Sequence, residues 1–157
     1  MNNEQRIKTN KIAIDEDDVK LFFNNRVNKN LPYLINYTNY QDKHPELALE
    51  RDKYEKDRIM PFLNLQPESR ILDIGCGVGR WGNHILKILS NQGMYVGADY
   101  SGNILNLAKN HFRENKNFYF CESSFQDILL NLPGNIKQNN FNVILINGVM
   151  MYINDTD

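Results

Sequence analysis

Three glycines at alternate positions follow a short apolar run that carries one acid. The run is 71–74, with Asp73 inside it, and Gly75, Gly77 and Gly79 come directly after. A continuous apolar run of this length is typical of a buried parallel strand. The glycines indicate a tight turn into a helix, where the backbone can approach a ligand because no Cβ atoms intervene. A crevice at the end of a parallel strand suits a cofactor that carries a nucleotide.

The glycine spacing is compatible with two cofactor classes. Gly77, Gly79 and Gly82 fit G-x-G-x-x-G, the dinucleotide pattern, which is a weak signal without context. Counted from the strand end, however, the loop is G-x-G-x-G, and Asp73 lies two residues before Gly75. A carboxylate is unfavourable beside a pyrophosphate, which prefers positive partial charge, but it suits a ligand with a sulfonium and an ammonium group. A purely structural glycine turn, with the aspartate bonded to backbone N–H groups, is the third interpretation.

This segment resembles motif I of the class I S-adenosylmethionine (SAM) methyltransferases, whose common form is a hydrophobic strand followed by D-x-G-x-G-x-G. The resemblance implies an α/β fold with a Rossmann-like parallel sheet, SAM as the cofactor, and methyl transfer as the reaction. It also implies that the loop holds the methionyl part of the cofactor. The loop residues predicted to bind the cofactor are Asp73, Gly75, Cys76, Gly77, Gly79, Arg80 and Trp81.

A second strand, 94–98, ends at Asp99, which follows Gly79 by 20 positions. At this spacing a carboxylate can accept hydrogen bonds from both hydroxyls of a ribose. The segment around Asp99 resembles the family's second motif, hydrophobic-G-x-D-x-S. Tyr100 either stacks near the adenine or packs, and Ser101 is predicted to cap the next helix. We include Asp99, Tyr100 and Ser101 among the cofactor-binding residues.

The third strand, 118–121, leads to the predicted adenine site. In the family this strand commonly precedes an aspartate that binds the adenine amino group, and that position falls here on Ser124, between Ser123 and Phe125. This is a departure from the family pattern, since a hydroxyl accepts less strongly than a carboxylate. Glu122 is an alternative acid, so the sequence leaves the adenine partner open. Ser123, Ser124 and Phe125 are the predicted contacts.

The fourth strand, 141–146, resembles motif IV, although Asn142 replaces the usual aspartate. Asn147 and Gly148 follow it, where the family's loop passes the methionyl part of the cofactor. Tyr152 falls where small-molecule methyltransferases often carry a histidine near the acceptor, and it is the one candidate catalytic residue. A tyrosine has a pKa of about 10, so it needs activation to act as a base. A packed aromatic side chain with its hydroxyl at the pocket rim is the alternative.

The N-terminal part differs in character from the rest, and we predict a helical extension over residues 1–65 before a SAM-binding core over 66–157. Four acids at 15–18 indicate a solvated helix start rather than a metal site. Residues 45–60 form a charged amphipathic pattern. In the family such an extension lies over the cofactor and shapes the acceptor pocket. Either Arg51 or Arg80 is then predicted to pair with the SAM carboxylate.

Composition excludes several classes of function. The chain has 157 residues, a net charge of −1 and 41% hydrophobic residues, which suits one domain without the basic face that nucleic acid requires. No apolar stretch is long enough to span a membrane, and residues 1–10 lack a signal-peptide core. Cys76 and Cys121 form no zinc pattern and are expected to be thiols of a cytoplasmic protein. We therefore expect no metal, no nucleic acid and no membrane.

The sheet of class I methyltransferases has seven strands in the order 3-2-1-4-5-7-6, and this sequence accounts for strands one to four. We therefore expect the C-terminal strands to be absent from the chain, which then represents the N-terminal part of the fold. The apolar fourth strand would form an open edge, which promotes self-association.

Three functional hypotheses follow. The first is a SAM-dependent methyltransferase, in complete or truncated form, that acts on a small-molecule acceptor such as a sugar or secondary metabolite. The second is a non-catalytic SAM-binding fragment or interaction module. The third and least favoured is an NAD-dependent oxidoreductase, because Asp73 and the motif IV resemblance argue against it.

Overall fold

The computed structural model describes residues 14–137 and 140–153. Six helices and four strands alternate along this part of the chain in the order α1, α2, β1, α3, β2, α4, β3, α5, α6 and β4. The helices are α1 Glu16–Arg26, α2 Glu46–Ile59, α3 Gly82–Ile85, α4 Gly102–His111, α5 Ile128–Asn131 and α6 Gly134–Lys137. The strands are β1 Arg70–Ile74, β2 Met94–Asp99, β3 Phe118–Glu122 and β4 Val143–Ile146. Short 3₁₀ turns lie at Leu34–Tyr37, Met60–Leu63 and Met150–Tyr152.

The four strands form one parallel sheet in the order β3-β2-β1-β4. This order confirms the arrangement of the first four strands of the class I methyltransferase sheet. Ile74 at the end of β1 is level with Ala98 in β2 and Ile146 in β4, and Asp99 is level with Glu122 in β3. The carboxyl ends of all four strands therefore meet at one edge, where ligands bind in open α/β sheets.

Both faces of the sheet are covered by apolar side chains. One buried cluster joins Leu72, Val96 and Cys121 to Ile128 and Ile136 from α5 and α6. The cluster on the other face is aromatic and contains Ile71, Trp81, Ile85, Tyr95, Phe112, Phe118 and Leu145. Burial on both faces is the reason that β1 and β2 are apolar almost throughout rather than alternating.

Local signals account for most of the boundaries. The Asp15 side chain caps α1 by accepting a 3.0 Å hydrogen bond from the Asp18 backbone N–H, and the acids of the first turn favour the positive end of the helix dipole. The sequence predicted that β4 begins at residue 141, but in the structure it begins at Val143. The Asn142 side chain explains the shift, because its Oδ1 accepts a 2.8 Å hydrogen bond from the Arg70 backbone N–H at the start of β1.

Helix α1 is attached to the sheet domain by polar contacts. Asn24 is the main attachment point, because its Oδ1 accepts from the Ser101 hydroxyl at 2.7 Å and its backbone carbonyl from the Asn103 amide at 3.1 Å. The extension thereby lies across the carboxyl edge of the sheet. No helix among residues 14–137 and 140–153 is long and apolar enough to cross a membrane.

Candidate functional site

A cavity of about 330 Å³ lies between the carboxyl edge of the sheet and the N-terminal extension. Fourteen of the seventeen predicted site residues line it. They are Arg51, Gly75, Cys76, Gly77, Arg80, Trp81, Asp99, Tyr100, Ser123, Ser124, Phe125, Asn147, Gly148 and Tyr152. Residues from four strand ends and from the extension therefore meet around one space. The remaining three, Asp73, Gly79 and Ser101, lie outside the lining.

The glycine loop forms the floor of the cavity through its backbone. Gly75 and Gly77 have φ angles of +69° and +55°, a left-handed conformation that other residues adopt only with strain. A Cβ atom on Gly77 would lie 2.5 Å from the Thr38 methyl carbon of the extension. The loop is also tied to the neighbouring strand, because the backbone N–H groups of Gly75 and Cys76 donate to the Ala98 carbonyl at 2.7 and 3.0 Å.

Asp99 joins the end of β2 to the glycine loop. One carboxylate oxygen accepts a 2.9 Å hydrogen bond from the Gly77 backbone N–H, and the other accepts one of the same length from Ser101. Burial raises the pKa of Asp99 above its usual value, while these backbone hydrogen bonds oppose the rise. Each carboxylate oxygen has a second lone pair, so Asp99 can still accept hydrogen bonds from a ligand in the cavity.

Asp73 lies beneath the loop and not on the cavity wall. Its side chain is 1% exposed, and its carboxyl group accepts a 2.6 Å hydrogen bond from the Tyr95 hydroxyl. Burial raises the pKa of Asp73 to about 7. The prediction of a direct contact between this carboxyl group and the cofactor is not supported by this arrangement, because the neighbouring core encloses it.

Gly79 and Ser101 also serve the structure around the cavity. A Cβ atom on Gly79 would lie 2.5 Å from the Phe112 ring, so the glycine allows the loop to pack closely against the end of α4. The fully buried Ser101 caps α4 as predicted, with its hydroxyl accepting from the Ile104 N–H at 3.3 Å. The same hydroxyl donates to Asn24. Both residues therefore support the structure around the cavity, and their predicted contact with the cofactor remains a prediction.

The two candidate arginines differ in how many N–H donors remain available to a ligand. The Arg80 guanidinium is 9% exposed and bonds Asp52 at 2.6 Å, Glu55, and the Asn147 side-chain oxygen at 3.1 Å. Each of its three nitrogens therefore already donates to a protein acceptor, which uses three of its five N–H groups. Arg51 has a 63% exposed side chain and donates from Nε to Glu55 at 2.7 Å. Of the two, Arg51 has the donors available for an anionic group.

The predicted adenine end of the cavity is formed by the segment after β3. Ser123, Ser124 and Phe125 all line it. The Ser124 hydroxyl donates to the Asp127 carboxylate at 2.9 Å, which orients the serine without a ligand. Glu122, the alternative acid, lies outside the lining and pairs with Lys20 at 3.1 Å. Placement therefore favours Ser124 over Glu122.

Tyr152 lines the opposite side of the cavity, next to aromatic residues of the extension. Its hydroxyl oxygen lies 3.4 Å from that of Tyr40, and its ring meets Phe23 edge-on at 5.7 Å between ring centroids. Burial and the hydrogen bond with Tyr40 raise the pKa of Tyr152 to about 12. This shift opposes the activation that a general base requires, so the side chain is suited to hydrogen bonding as a neutral phenol.

Tyr100 also lines the cavity, with its hydroxyl engaged by the extension. It donates a 3.0 Å hydrogen bond to the Glu16 carbonyl of α1, and burial raises its pKa to about 12. The ring is thus held at the cavity edge, and the predicted stacking on adenine remains a prediction.

The resemblance implied that the extension shapes the pocket, but Arg51 was the single residue of the extension in the predicted set. Lining residues outside the predicted set include Phe23, Thr38, Asn39, Tyr40, Gln41 and Ala48. Among them only Ala48 lies in α2 and Phe23 in α1, and the others belong to an irregular loop. No motif marks such a loop, so the resemblance placed the extension over the cofactor without identifying most of these residues. Within residues 14–137 and 140–153, no group of three or more metal-binding side chains is arranged to hold a metal ion.

A comparison with protein families shows the family of this chain. A family model described as a methyltransferase domain matches residues 65–157, which is more than half of the chain. The chain belongs to this family of methyltransferase domains. The family uses SAM as its cofactor, as the resemblance of the glycine loop implied.

Curated relatives of this methyltransferase domain include bacterial demethylmenaquinone methyltransferases. The enzyme of Staphylococcus saprophyticus is 26% identical over 100 residues, which are 64% of this chain and 40% of the relative. An enzyme of Bacillus cereus is 32% identical over 63 residues, or 40% of this chain and 27% of the relative. The matched region thus spans two fifths or less of these relatives.

Solved structures confirm the fold of the methyltransferase domain. Magnesium protoporphyrin IX methyltransferase from Synechocystis, solved with bound SAM, matches with a TM-score of 0.58 and 19% identity over 92% of this chain and 67% of that one. Phosphoethanolamine N-methyltransferase 1 from Haemonchus contortus, solved with S-adenosylhomocysteine, has a TM-score of 0.55 and 16% identity over 69% and 21% of the two chains. Both likenesses concern the fold.

Proposed function

We propose that this methyltransferase domain binds SAM in the cavity above the glycine loop and transfers its methyl group to a small-molecule acceptor. The observation that carries the proposal is the position of Asp99. Its carboxylate lines the cavity while it is bonded to the glycine loop. A glycine floor with a neighbouring carboxylate fits a ligand with a ribose beside a compact charged tail.

Each side of the cavity has a proposed role in holding the cofactor. Asp99 accepts hydrogen bonds from the ribose hydroxyls, and Ser124 with Phe125 borders the adenine. The backbone around Gly75 and Gly77 contacts the methionyl part. Arg51 is assigned to the carboxylate of the cofactor, because Arg80 is already bonded to Asp52 and Glu55. The cofactor supplies an electrophilic methyl group on a sulfonium, which an acceptor atom takes while S-adenosylhomocysteine leaves.

The acceptor is proposed to enter beside Tyr152. Phe23, Tyr40 and Tyr152 surround this part of the cavity with aromatic rings, and the Tyr152 hydroxyl can orient a polar group as a neutral donor or acceptor. Catalysis there depends on holding the acceptor in line with the methyl group and on excluding water.

The confined cavity and the net charge of −1 support a small molecule, such as a sugar or secondary metabolite, rather than nucleic acid. The relatives named as demethylmenaquinone methyltransferases also act on a small molecule, which is compatible with the proposal. The buried free thiols of Cys76 and Cys121 support the cytoplasm as the proposed location.

Calorimetric titration of the 157-residue chain with S-adenosylhomocysteine tests the cofactor assignment. We expect binding that Asp99→Asn weakens by about tenfold or more, because each lost charge-assisted hydrogen bond contributes about 1.5 to 3 kcal/mol. Glu122→Gln is the matched control, since this acid ends the adjacent strand but lies outside the cavity. It should leave the affinity unchanged. Equal losses for both variants would contradict the assignment.

The same titration, together with an assay for transfer of a labelled methyl group, separates the alternative functions. Heat with NAD and none with S-adenosylhomocysteine would favour an oxidoreductase. Binding of S-adenosylhomocysteine without transfer of a labelled methyl group from SAM to any small-molecule fraction would favour a non-catalytic binding module. Label that appears in low-molecular-weight products supports the methyltransferase proposal.

A further inference from the structure

Four consecutive residues of the extension, Thr38, Asn39, Tyr40 and Gln41, all line the cavity. They follow the 3₁₀ turn Leu34–Tyr37 and belong to no helix or strand. The Thr38 and Asn39 N–H groups donate to the Ile35 carbonyl at 3.1 and 2.8 Å, but no helix or strand ladder runs through the segment, so other groups must hold its shape. The identity of those groups determines how firmly this wall of the cavity is fixed.

Arg26, the last residue of α1, bonds the backbone just before the segment. Its side chain is 2% exposed. Its Nη2 donates to the Asn36 carbonyl at 2.5 Å, and its Nε donates to the Tyr37 carbonyl at 3.0 Å. Asn36 and Tyr37 are the two residues that precede Thr38 in the sequence.

The same guanidinium bonds the residue just after the segment. Its Nη2 and Nη1 donate to the two oxygens of the Asp42 carboxylate at 2.8 and 3.4 Å. Its carbon also lies 5.1 Å from the centre of the Tyr40 ring, within the range of a cation–π interaction. One side chain therefore holds residues on both flanks of the segment and one residue within it.

We propose that Arg26 is a positioning residue that fixes the Thr38–Gln41 wall over the cofactor loop from both ends. The wall contacts the binding machinery at two points: the Thr38 methyl group lies over Gly77, and the Tyr40 hydroxyl meets that of Tyr152. A buried guanidinium is costly unless its donors are satisfied, and in this structure the acceptors on the two flanks of the segment satisfy them. The effect on ligand binding rests on the proposed function, whereas the fixing of the loop rests on the observed geometry alone.

Lysine cannot take over this role, since a single ammonium group lacks the planar set of donors that reaches both flanks. Arg26→Lys therefore keeps the positive charge but removes the set of hydrogen bonds that joins the two flanks of the segment. Lys29→Met is the matched control, because Lys29 bonds the same carboxylate at 2.6 Å from an exposed position and does not bond the flanking carbonyls.

Hydrogen exchange tests the proposal without any ligand. In Arg26→Lys we expect the amides of Thr38 and Asn39, which donate to the Ile35 carbonyl, to exchange at least tenfold faster, with the exchange of β1 and β2 unchanged. Lys29→Met should leave both amides within twofold of the wild type. Unchanged exchange at Thr38 and Asn39 overturns the proposal. If Arg26→Lys does not fold, Asp42→Ala removes both acceptor oxygens of one flank and should accelerate the same two amides by at least threefold. No acceleration in that variant would also overturn the proposal.

Affinity for S-adenosylhomocysteine then shows whether the wall acts on the site. Arg26→Lys should weaken binding about tenfold through faster dissociation, and in a Thr38→Ala background the added loss should fall below threefold. Fully additive losses would show that Arg26 acts through general stability, against the proposal. If the wild type binds S-adenosylhomocysteine and Arg26→Lys binds it equally well, the positioning role is overturned and the proposed function is not. If the wild type does not bind, the proposed function is overturned. The hydrogen-exchange result then tests by itself whether Arg26 fixes the loop.

Discussion

The Tyr95 hydroxyl donates a 2.6 Å hydrogen bond to the Asp73 carboxyl group in the core below the glycine loop. The two residues lie in adjacent strands, Asp73 in β1 and Tyr95 in β2, and both are buried. Burial is the main cause that raises the pKa of Asp73, and the bond from Tyr95 opposes it. The acid of motif I thus supports the base of the loop from within the sheet.

The stability of the chain should depend on pH through Asp73. Its pKa of about 7 in the folded state exceeds the ordinary value of 3.8, so the folded state binds this proton more tightly than the unfolded state. The resulting stabilisation is complete below about pH 4 and is lost as the pH rises through about 7. It amounts to roughly 4 kcal/mol at most.

Urea unfolding of the wild type and Asp73→Asn between pH 5 and 8 measures this contribution. The amide keeps the shape and still accepts from Tyr95, but it does not titrate. We expect the free energy of unfolding of the variant to gain on that of the wild type as the pH rises. Parallel profiles would show that Asp73 titrates near its ordinary pKa.

Two glycines with the same φ angle should differ in their tolerance of a side chain. Gly79 and Gly148 both have φ of +74°, but a Cβ atom would lie 2.5 Å from the Phe112 ring at Gly79 and contact nothing within 4 Å at Gly148. Gly148→Ala should cost about 1 to 2 kcal/mol from backbone strain. Gly79→Ala should cost about 1 to 3 kcal/mol more, because overpacking is added.

Chemical denaturation of the two variants provides the comparison, with Gly134→Ala as the control. Gly134 begins α6 without a left-handed φ and with open space around its Cα, so its replacement should change stability by less than about 0.5 kcal/mol. Equal losses at Gly79 and Gly148 would remove the Phe112 contact as the reason for a glycine at position 79.

The outer edge of β4 should promote self-association of the chain. In the described part of the chain, β4 pairs only with β1, and Ile144 in it is 59% exposed. An exposed apolar edge strand is a template for pairing with another chain. Ile144→Lys should shift the sedimentation profile towards the monomer, with a small effect on stability.

Leu129→Lys is the control for that experiment, because Leu129 is also exposed but lies in the short helix α5. Its replacement should leave the association state unchanged. If both variants dissociate the chain to the same extent, general surface hydrophobicity is responsible and the β4 edge has no special role.

Tyr152 should remain a neutral phenol throughout the physiological range. Its pKa is raised to about 12, first by burial and then by the hydrogen bond with Tyr40. The difference in ultraviolet absorbance between the wild type and Tyr152→Phe should show no tyrosinate from this residue below about pH 10. Tyr40→Phe should lower the pKa of Tyr152. A phenolate signal near pH 8 would restore the role of a general base.

The sequence by itself determined the parts of this protein that depend on short-range pattern. Apolar runs marked β1 and β2, and turn chemistry marked the glycine loop. The spacing to Asp99 placed a carboxylate at the same sheet edge, since parallel strands end together. These features arise from backbone conformation and from residues close in the chain. The same pattern, through its family resemblance, gave the methyltransferase class and its cofactor.

The tertiary structure alone decided which side chains reach the cavity. Asp73 is bonded to Tyr95 and lies outside the cavity lining. Arg80 is bonded to Asp52 and Glu55, which lie more than 20 residues earlier in the chain. Arg26 bonds both flanks of a loop that no sequence motif predicts. A side chain on a strand or helix has a direction set by its element, but its partners depend on how the elements pack. That packing is a property of the whole chain, so local pattern could predict the site's position but not its internal bonding.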